Sequence, residues 1–201
     1  EGIDLGPDVA FGPGVCVADD PLGEATPLPD DDIWHQAAAD YYRAMEACAR
    51  AILTSLARSL SLDASLLLAA FEQPISTLRM IRYPPRTPES FGDLGAEAWI
   101  DSERHLIGKP HVDSGFITLL AQNGVAGLQA QTRAGDWLDV PPTEGQLAVN
   151  FGQLLERWTG GRIRATLHRI WGRGEERFSI PFFFEPSIAA VISRLPLSGA
   201  V

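Results

Sequence analysis

Residues 111–117 read HVDSGFI and place two candidate metal ligands, His111 and Asp113, two positions apart. The β-branched and aromatic neighbours predict a strand, in which side chains at positions i and i+2 point to the same face. A third candidate ligand, His168, follows in TLHRIW, residues 166–171. Two histidines and one carboxylate on one side of an ion leave three positions open, which suits Fe(II) that must bind a cosubstrate and O2. The sequence therefore predicts a facial triad of His111, Asp113 and His168 as the metal site and catalytic centre.

A second pair at strand spacing, Arg177 and Ser179, follows in RFSIPFFF, residues 177–184. A guanidinium and a hydroxyl on one strand face can bind a carboxylate, the arginine through two parallel charge-assisted hydrogen bonds. Arg177 stands beside Glu175 and Glu176 and could instead form a surface ion pair. Because an apolar run follows directly, Arg177 is predicted to lie on a core strand. Arg177 and Ser179 are called the carboxylate anchor below.

These five residues, in this order and at these spacings, resemble the isopenicillin N synthase-like branch of the Fe(II)/2-oxoglutarate-dependent dioxygenases. The resemblance covers residues 72–187, with similar segments at RYPPRT (82–87), GLQAQ (127–131), DWLDVPP (136–142), 145–170 and RFSIPFFFEP (177–186). A lone HxD pair would be weak support, whereas the ordered set with its flanking sequence is specific. The resemblance implies a mainly β fold with flanking helices, built on a double-stranded β-helix, which is a cupin-like jelly roll.

The same resemblance implies Fe(II) as the cofactor and 2-oxoglutarate as the cosubstrate. The C1 carboxylate and C2 oxygen of 2-oxoglutarate would bind the metal and leave one position for O2, while its distal carboxylate would bind the carboxylate anchor. The Tyr83 hydroxyl is expected to reach the cosubstrate. Leu128 is expected to pack against the cosubstrate's carbon chain or to belong to the core, and the same two roles are open for Leu119. Ile81 stands where many plant relatives carry an asparagine.

The implied reaction is the hydroxylation, desaturation or cyclisation of a small-molecule substrate with O2, releasing succinate and CO2. Two alternatives stay open at this point. Isopenicillin N synthase itself and the aminocyclopropane-carboxylate oxidases share the triad and the Arg-x-Ser pair but use no 2-oxoglutarate. A non-catalytic or zinc-loaded jelly-roll binding protein would have no need for the anchor aligned with a complete triad.

Composition indicates a single globular domain, with 45% apolar and 21% charged residues among 201. The net charge of −10 argues against a nucleic acid or an anionic membrane surface as the main partner. Cys16 and Cys48 lie far apart and outside any zinc spacing, which favours a reduced, cytoplasmic compartment. The chain begins at Glu1 in a Gly/Pro-rich stretch, so an N-terminal part is expected to be missing. The oligomeric state is not predicted.

Local patterns divide the chain into a loop and helical scaffold, residues 1–71, and a jelly-roll core, residues 72–187. Residues 1–29 are rich in Gly and Pro and are expected to be loop. A three-and-four spacing after three aspartates predicts a long amphipathic helix with a buried stripe of Ile33, Ala37, Tyr41, Met45, Cys48, Ile52 and Leu56. Asp63 is expected to cap a short second helix that ends near Phe71.

From Ile75 onward, seven short strand-like runs separated by turn residues predict the jelly roll. Phe183 is expected to share a strand face with Ser179 if no bulge intervenes. His35, within the long helix, and His105, in a polar run before the HxD pair, are predicted to be surface or packing residues rather than ligands.

Overall fold

The computed structural model describes residues 1–12, 25–85, 100–101 and 103–196. The strands are β1 (Gly2–Leu5), β2 (Thr77–Tyr83), β3 (His105–His111), β4 (Ile117–Gln122), β5 (Leu128–Gln131), β6 (Trp137–Asp139), β7 (Ala148–Phe151), β8 (His168–Gly172) and β9 (Arg177–Phe184). The helices are α1 (Asp8–Phe11), α2 (Asp32–Ser59), α3 (Ala64–Leu68) and α4 (Gln153–Trp158), with a 3-10 turn at Ala69–Phe71. Within these ranges, no helix is both long and apolar enough to cross a bilayer.

The strands form two sheets that face each other. One has the order β1-β2-β9-β4-β7 and the other the order β3-β8-β5-β6. Leu120 of the first sheet packs against Leu128 and Ile170 of the second, which closes the space between them. All seven strand-like runs predicted from Ile75 onward form strands, and these strands are divided between the two sheets. The predicted jelly roll is therefore confirmed.

β9 pairs with β2 on one side and β4 on the other without any register shift. The side chains of Arg177, Ser179 and Phe183 therefore share the face that looks into the jelly roll, as predicted. Phe182 and Phe184 point the other way and are fully buried against the helices. Leu119 pairs with Phe182 and lies in this helix-side core, so a contact of Leu119 with the cosubstrate is excluded and its role is core packing.

Helix α2 covers the outer face of the five-stranded sheet. Its first turn is capped by Asp31, whose carboxylate accepts hydrogen bonds from the backbone of Ile33 and Trp34. Tyr42 meets the ring of Phe182 edge-on at 5.0 Å between centroids. The Tyr42 hydroxyl also donates to the carbonyl of Ser76 at 2.7 Å, which ties the helix to the chain just before β2.

The buried stripe of α2 differs from the predicted one. It comprises Ala38, Ala39, Tyr42, Met45, Glu46, Ala49, Leu53 and Ala57. Ile33, Ala37 and Cys48 of the predicted stripe are exposed. Alanine contributes least to a hydrophobic pattern, so the pattern did not reveal this stripe. Its small side chain allows the helix to lie close to the sheet. The predicted second helix is confirmed, with Asp63 accepting from the backbone of Ser65.

The first residues are not the predicted loop. β1 pairs antiparallel with β2, and Leu5 is fully buried. Asp4 accepts two hydrogen bonds from the guanidinium of Arg79, at 2.5 and 2.7 Å. α1 follows within the same predicted loop. Such short elements among Gly and Pro carry too few apolar residues to be recognised, and the long-range pairing with β2 decides their structure.

Candidate active site

The three predicted metal ligands come together at one end of the jelly roll. One potential ligand atom from each of His111, Asp113 and His168 lies within 4.8 Å of the others. Oδ1 of Asp113 is 3.7 Å from Nε2 of His168 and 4.0 Å from Nε2 of His111. The Asp113 and His168 side chains are 9% and 7% exposed, whereas that of His111 is 50% exposed. Together they can hold one metal ion at the mouth of the fold, with His111 on the solvent side.

Asp113 does not lie on the predicted strand. β3 ends at His111, and the following residues form a loop, so the inference that both ligands share one strand face was wrong. The carbonyl oxygens of this loop accept hydrogen bonds from the first turn of α4. Gln153 N–H donates to Asp113 at 2.8 Å, and Leu154 N–H donates to Gly115 at 3.1 Å. The first amides of a helix have no partner within the helix. In α4 they bond to the carbonyls of residues 113–115, and these residues therefore form a loop rather than a strand.

The loop and α4 approach each other closely. A Cβ atom added to Gly152 would lie 2.1 Å from the backbone oxygen of Gly115. The contact is with backbone rather than with a movable side chain, so only glycine fits at position 152. Gly152, which precedes α4, thus sets the position of the metal-binding loop.

An irregular β3 places the rings of His111 and His168 next to each other. Its pairing with β8 shifts register on both sides of Gly108, and His111 ends opposite His168. The two rings are 4.3 Å apart between centroids. Such bulges are common beside active sites, where they turn a side chain to a new direction. The Gly and Pro within β3 also explain why sequence patterns predicted strand only from His111 onward.

Backbone carbonyls set the histidine tautomers. Nδ1 of His111 is 2.7 Å from the carbonyl oxygen of Lys109, and Nδ1 of His168 is 3.0 Å from that of Thr166. A carbonyl can only accept, so each Nδ1 carries the proton and each Nε2 keeps its lone pair for a metal. Thr118 Oγ1 donates to Oδ2 of Asp113 at 2.7 Å, which leaves Oδ1 toward the histidines. Thr118 was not predicted.

The carboxylate anchor is buried on β9, next to the strand β4 that carries Thr118. Arg177 is 1% exposed and Ser179 is 2% exposed. Nη2 of Arg177 donates to Oε1 of Gln122 at 3.0 Å. Nε and Nη1 of Arg177 and Oγ of Ser179 are buried without a hydrogen-bond partner among the described residues. Buried donors of this kind are costly unless a partner binds, and a bound carboxylate can accept hydrogen bonds from the guanidinium and from the Ser179 hydroxyl.

Tyr83 and Leu128 lie beside the anchor. Tyr83 is the register partner of Arg177, whose guanidinium carbon is 5.3 Å from the centre of the tyrosine ring. Burial lowers the pKa of Arg177, and Tyr83 opposes that shift. Leu128 is 2% exposed and packs between the sheets in the same small cluster as Tyr83. Both positions fit the predicted contacts with a cosubstrate. The roles of Tyr83 and Leu128 stay predictions.

Strand β4 gives the distance between the two halves of the site. Thr118 contacts the metal ligand Asp113 and Gln122 contacts Arg177. The two residues are four positions apart on one face, which corresponds to about 13 Å. A five-carbon dicarboxylate and the side chains that reach toward it from both ends can span this distance.

One further carboxyl group lies near the metal ligands. Burial raises the pKa of Glu185 to about 7, and the nearby Asp113 carboxylate adds to the shift. Glu185 directly follows β9, and no sequence signal pointed to it. Of the two histidines predicted not to be ligands, neither joins the group of candidate metal ligands in the described part of the chain.

Residues 74–186 match the 2OG-Fe(II) oxygenase superfamily. The 2-oxoglutarate-Fe(II) type oxidoreductase hxnY of Emericella nidulans is 34% identical over 173 residues, which cover 84% of this chain and 46% of that protein. A 2-oxoglutarate-Fe(II) type oxidoreductase of Aspergillus fumigatus is 35% identical over 190 residues, covering 92% of this chain and 53% of that protein. The chain therefore spans about half the length of these curated relatives.

Among solved structures, a full-length Neurospora crassa protein in complex with alpha-KG and 5-formyluracil aligns with a TM-score of 0.80 at 25% identity. The alignment covers 100% of this chain and 62% of that one. The family predicted from the ordered motifs, the two facing sheets and the match over residues 74–186 agree. On these grounds, the chain belongs to the 2OG-Fe(II) oxygenase superfamily.

Proposed function

We propose that this protein is an Fe(II)/2-oxoglutarate-dependent oxygenase that hydroxylates, desaturates or cyclises a small-molecule substrate with O2, releasing succinate and CO2. The observation that carries the proposal is the carboxylate anchor. Three buried polar atoms of Arg177 and Ser179 have no partner among the described residues. Both residues lie on β9, beside the strand β4 whose Thr118 contacts the metal ligand Asp113. A metal-binding jelly roll that binds no carboxylate would have no use for them.

In this proposal His111, Asp113 and His168 hold Fe(II). Bound Fe(II) and 2-oxoglutarate supply the oxidising chemistry, while the protein supplies position and dryness. The carbonyls of Lys109 and Thr166 keep both Nε2 atoms directed at the metal. Thr118 fixes the carboxylate of Asp113 in the orientation that leaves one oxygen toward the histidines.

At the other end, Arg177 and Ser179 would bind the distal carboxylate of 2-oxoglutarate, with Gln122 holding one nitrogen of the guanidinium in place. Leu128 packs with Leu120 and Ile170 along the space between the sheets, and these side chains keep water away from the carbon chain of the diacid. The Tyr83 ring covers the guanidinium, and its hydroxyl is the candidate for a contact with the cosubstrate.

A spectroscopic experiment tests the proposal before any substrate is known. Anaerobic addition of Fe(II) and 2-oxoglutarate should give the weak visible charge-transfer band expected when a keto acid chelates ferrous iron. N-oxalylglycine offers the same two carboxylates and a chelating carbonyl, so it should compete for the same site. Succinate formation and O2 uptake should then both depend on 2-oxoglutarate.

The same experiment distinguishes the alternatives. An oxidase that uses no 2-oxoglutarate would bind iron but show neither the band nor succinate, and would consume O2 only with its own substrate. A zinc-loaded binding protein would consume no O2 under either condition. Either result would remove the proposed function.

Three further properties of the whole protein are proposed. A single-domain organisation, a cytoplasmic location and the lack of a nucleic-acid partner are proposals that rest on composition, charge and cysteine content. Fractionation of cells expressing a tagged protein would test the location.

A further inference from the structure

A groove of about 580 Å³ is lined in part by the residues that directly precede the metal ligand His168 in the chain. One wall is the turn between β5 and β6, with Gln131, Thr132 and Arg133. The other wall is the segment 162–167 between α4 and β8, and Phe151 lines the same groove. Its volume is typical of small-molecule sites, which run from about 300 to 1,000 Å³.

The groove lies at the metal end of the jelly roll. β3 ends and β8 begins at the paired residues His111 and His168, and β5 ends next to them through the pairing of Ala130 with His168. The groove is built from the residues that directly follow β5 and directly precede β8. A molecule bound in it therefore lies against the backbone that carries a metal ligand.

The charge of this groove is opposite to that of the chain. The chain has 26 acidic and 16 basic residues, yet Arg133, Arg162 and Arg164 line the groove, and none of its described lining residues is acidic. Arginines elsewhere in the described chain mostly have a carboxylate partner, as do Arg43, Arg50, Arg79, Arg82, Arg104 and Arg173. Within the described ranges, Arg133 and Arg164 have no such ion pair.

The wall that carries two of these arginines is held in place by hydrogen bonds. Ala165 N–H donates to the carboxylate of Glu156 at 2.6 Å, and Ile163 N–H donates to the Thr159 hydroxyl at 3.2 Å. Gln131 N–H donates to the carbonyl of Leu167 at 2.8 Å and so joins the two walls. The positive charges therefore project from a fixed backbone rather than from a free loop.

The lining is not only positive. Phe151, Ile163 and Leu167 give the groove an apolar part next to the arginines. An inorganic anion would leave this part in contact with water, whereas an organic acid would use both. The planar guanidinium also binds a carboxylate through two hydrogen bonds.

We infer that this groove binds the carboxylate of an acidic, partly apolar small molecule, and that this molecule is the substrate oxidised beside His168. The second half of the inference rests on the proposed function, whereas the first half does not. Arg133 and Arg164 are the binding residues that carry it, with Arg162 contributing charge from the same wall.

Calorimetric titration of the Fe(II)-loaded protein under anaerobic conditions tests the inference, with N-oxalylglycine filling the anchor so that added acids cannot use Arg177. The probes are benzoate, its neutral counterpart benzamide, and inorganic phosphate. Benzoate should bind, benzamide should not saturate, and phosphate should bind more weakly than benzoate. The Arg133→Gln and Arg164→Gln variants should each weaken benzoate binding about threefold, in line with exposed ion pairs.

The matched control is Arg58→Gln, which removes the same charge from an exposed position near the end of α2 and should leave benzoate binding unchanged. Equal binding of benzoate and benzamide, tighter binding of phosphate, or wild-type affinity in both groove variants would overturn the inference. The visible band of the wild-type protein with Fe(II) and 2-oxoglutarate is measured separately. A band without arginine-dependent benzoate binding overturns only this inference. Benzoate binding without a band overturns the proposed function and, with it, the substrate half of this inference, while the binding half stands.

Discussion

The metal ligands and the carboxylate anchor are linked through strand β4, but their polar groups are satisfied in opposite ways. Each histidine of the triad already has its outer nitrogen on a backbone carbonyl, and Asp113 has Thr118. Arg177, in contrast, has one partner, Gln122, and two nitrogens without any among the described residues. The metal end is thus arranged by the protein, whereas the anchor is completed only by its ligand.

The difference indicates where binding energy is gained. An unpaired buried donor costs about 1–3 kcal/mol, so a carboxylate that satisfies Arg177 and Ser179 removes an existing cost in addition to making new bonds. At the metal end the outer partners contribute orientation. Loss of a metal ligand should therefore abolish turnover. Loss of an outer partner should lower the affinity for iron, and loss of an anchor contact should lower the affinity for 2-oxoglutarate.

The largest effect is expected at the ligands themselves. His111→Ala, Asp113→Ala and His168→Ala should each abolish turnover, a larger loss than the roughly 10- to 100-fold that removal of an outer partner causes. Succinate formation measures turnover, and circular dichroism should show the fold retained. His35→Ala, at a histidine outside the metal group, is the control. Near-normal turnover in any of the three ligand variants would remove the triad assignment.

Next in size is Thr118→Val, which keeps the shape of the side chain but removes the hydrogen bond to Asp113. Iron affinity should fall by about 10- to 100-fold, as for other outer partners of metal ligands. Titration with Fe(II) under anaerobic conditions measures it. Thr54→Val makes the same chemical change in α2, where the hydroxyl bonds only to its own helix, and should leave iron affinity unchanged. Equal affinity in the two variants would mean that Asp113 needs no help from Thr118.

At the anchor, Arg177→Lys keeps the charge but loses the planar two-point contact. The apparent affinity for 2-oxoglutarate should fall by at least about tenfold, given roughly 1.5–3 kcal/mol for a hydrogen bond to a charged group. The visible band, titrated with 2-oxoglutarate, gives this affinity. Arg82→Lys, on an exposed arginine paired with Glu1 and Glu176, is the control. An unchanged affinity would make Arg177 a structural residue.

The smallest effect is expected for Gln122→Met, which removes the hydrogen-bond acceptor of Arg177 Nη2 at similar side-chain length. The affinity for 2-oxoglutarate should fall about threefold to tenfold, which corresponds to one hydrogen bond of roughly 1 kcal/mol. Iron affinity should stay the same, because Gln122 lies four residues along β4 from Thr118, which contacts Asp113. Gln146→Met, at an exposed position, is the matched control. A loss of iron binding in Gln122→Met would contradict the separation of the two ends.

The residues that sequence alone identified are those with rare chemistry at a fixed spacing. His111, Asp113, His168, Arg177 and Ser179 are such residues. The structure groups the first three as candidate metal ligands and buries the last two with unpartnered polar atoms. Their supporting partners could not be found in this way. Thr118 and Gln122 meet their targets through loop geometry and strand register, and a threonine or glutamine in a strand is too common to stand out.

The fold shows the same division. Runs of β-branched and aromatic residues predicted seven strands, because those strands are half-buried and regular. β1 and β3 were not predicted, because segments with Gly, Pro and charged residues form strands only by pairing with strands that are distant in the sequence. Asp113 lies outside its predicted strand for a similar reason, because its carbonyl accepts a hydrogen bond from an amide of α4.

The hydrogen bonds between α4 and the loop at Asp113 have a consequence for iron exchange. They join backbone to backbone, so the loop keeps its shape whether or not an ion is bound. Small zinc domains lose their fold on chelation. Here an ion should stabilise the fold only by mass action, by about 2.7 kcal/mol at a free concentration one hundred times its dissociation constant. The protein can therefore give up its iron to a chelator and take it back without refolding.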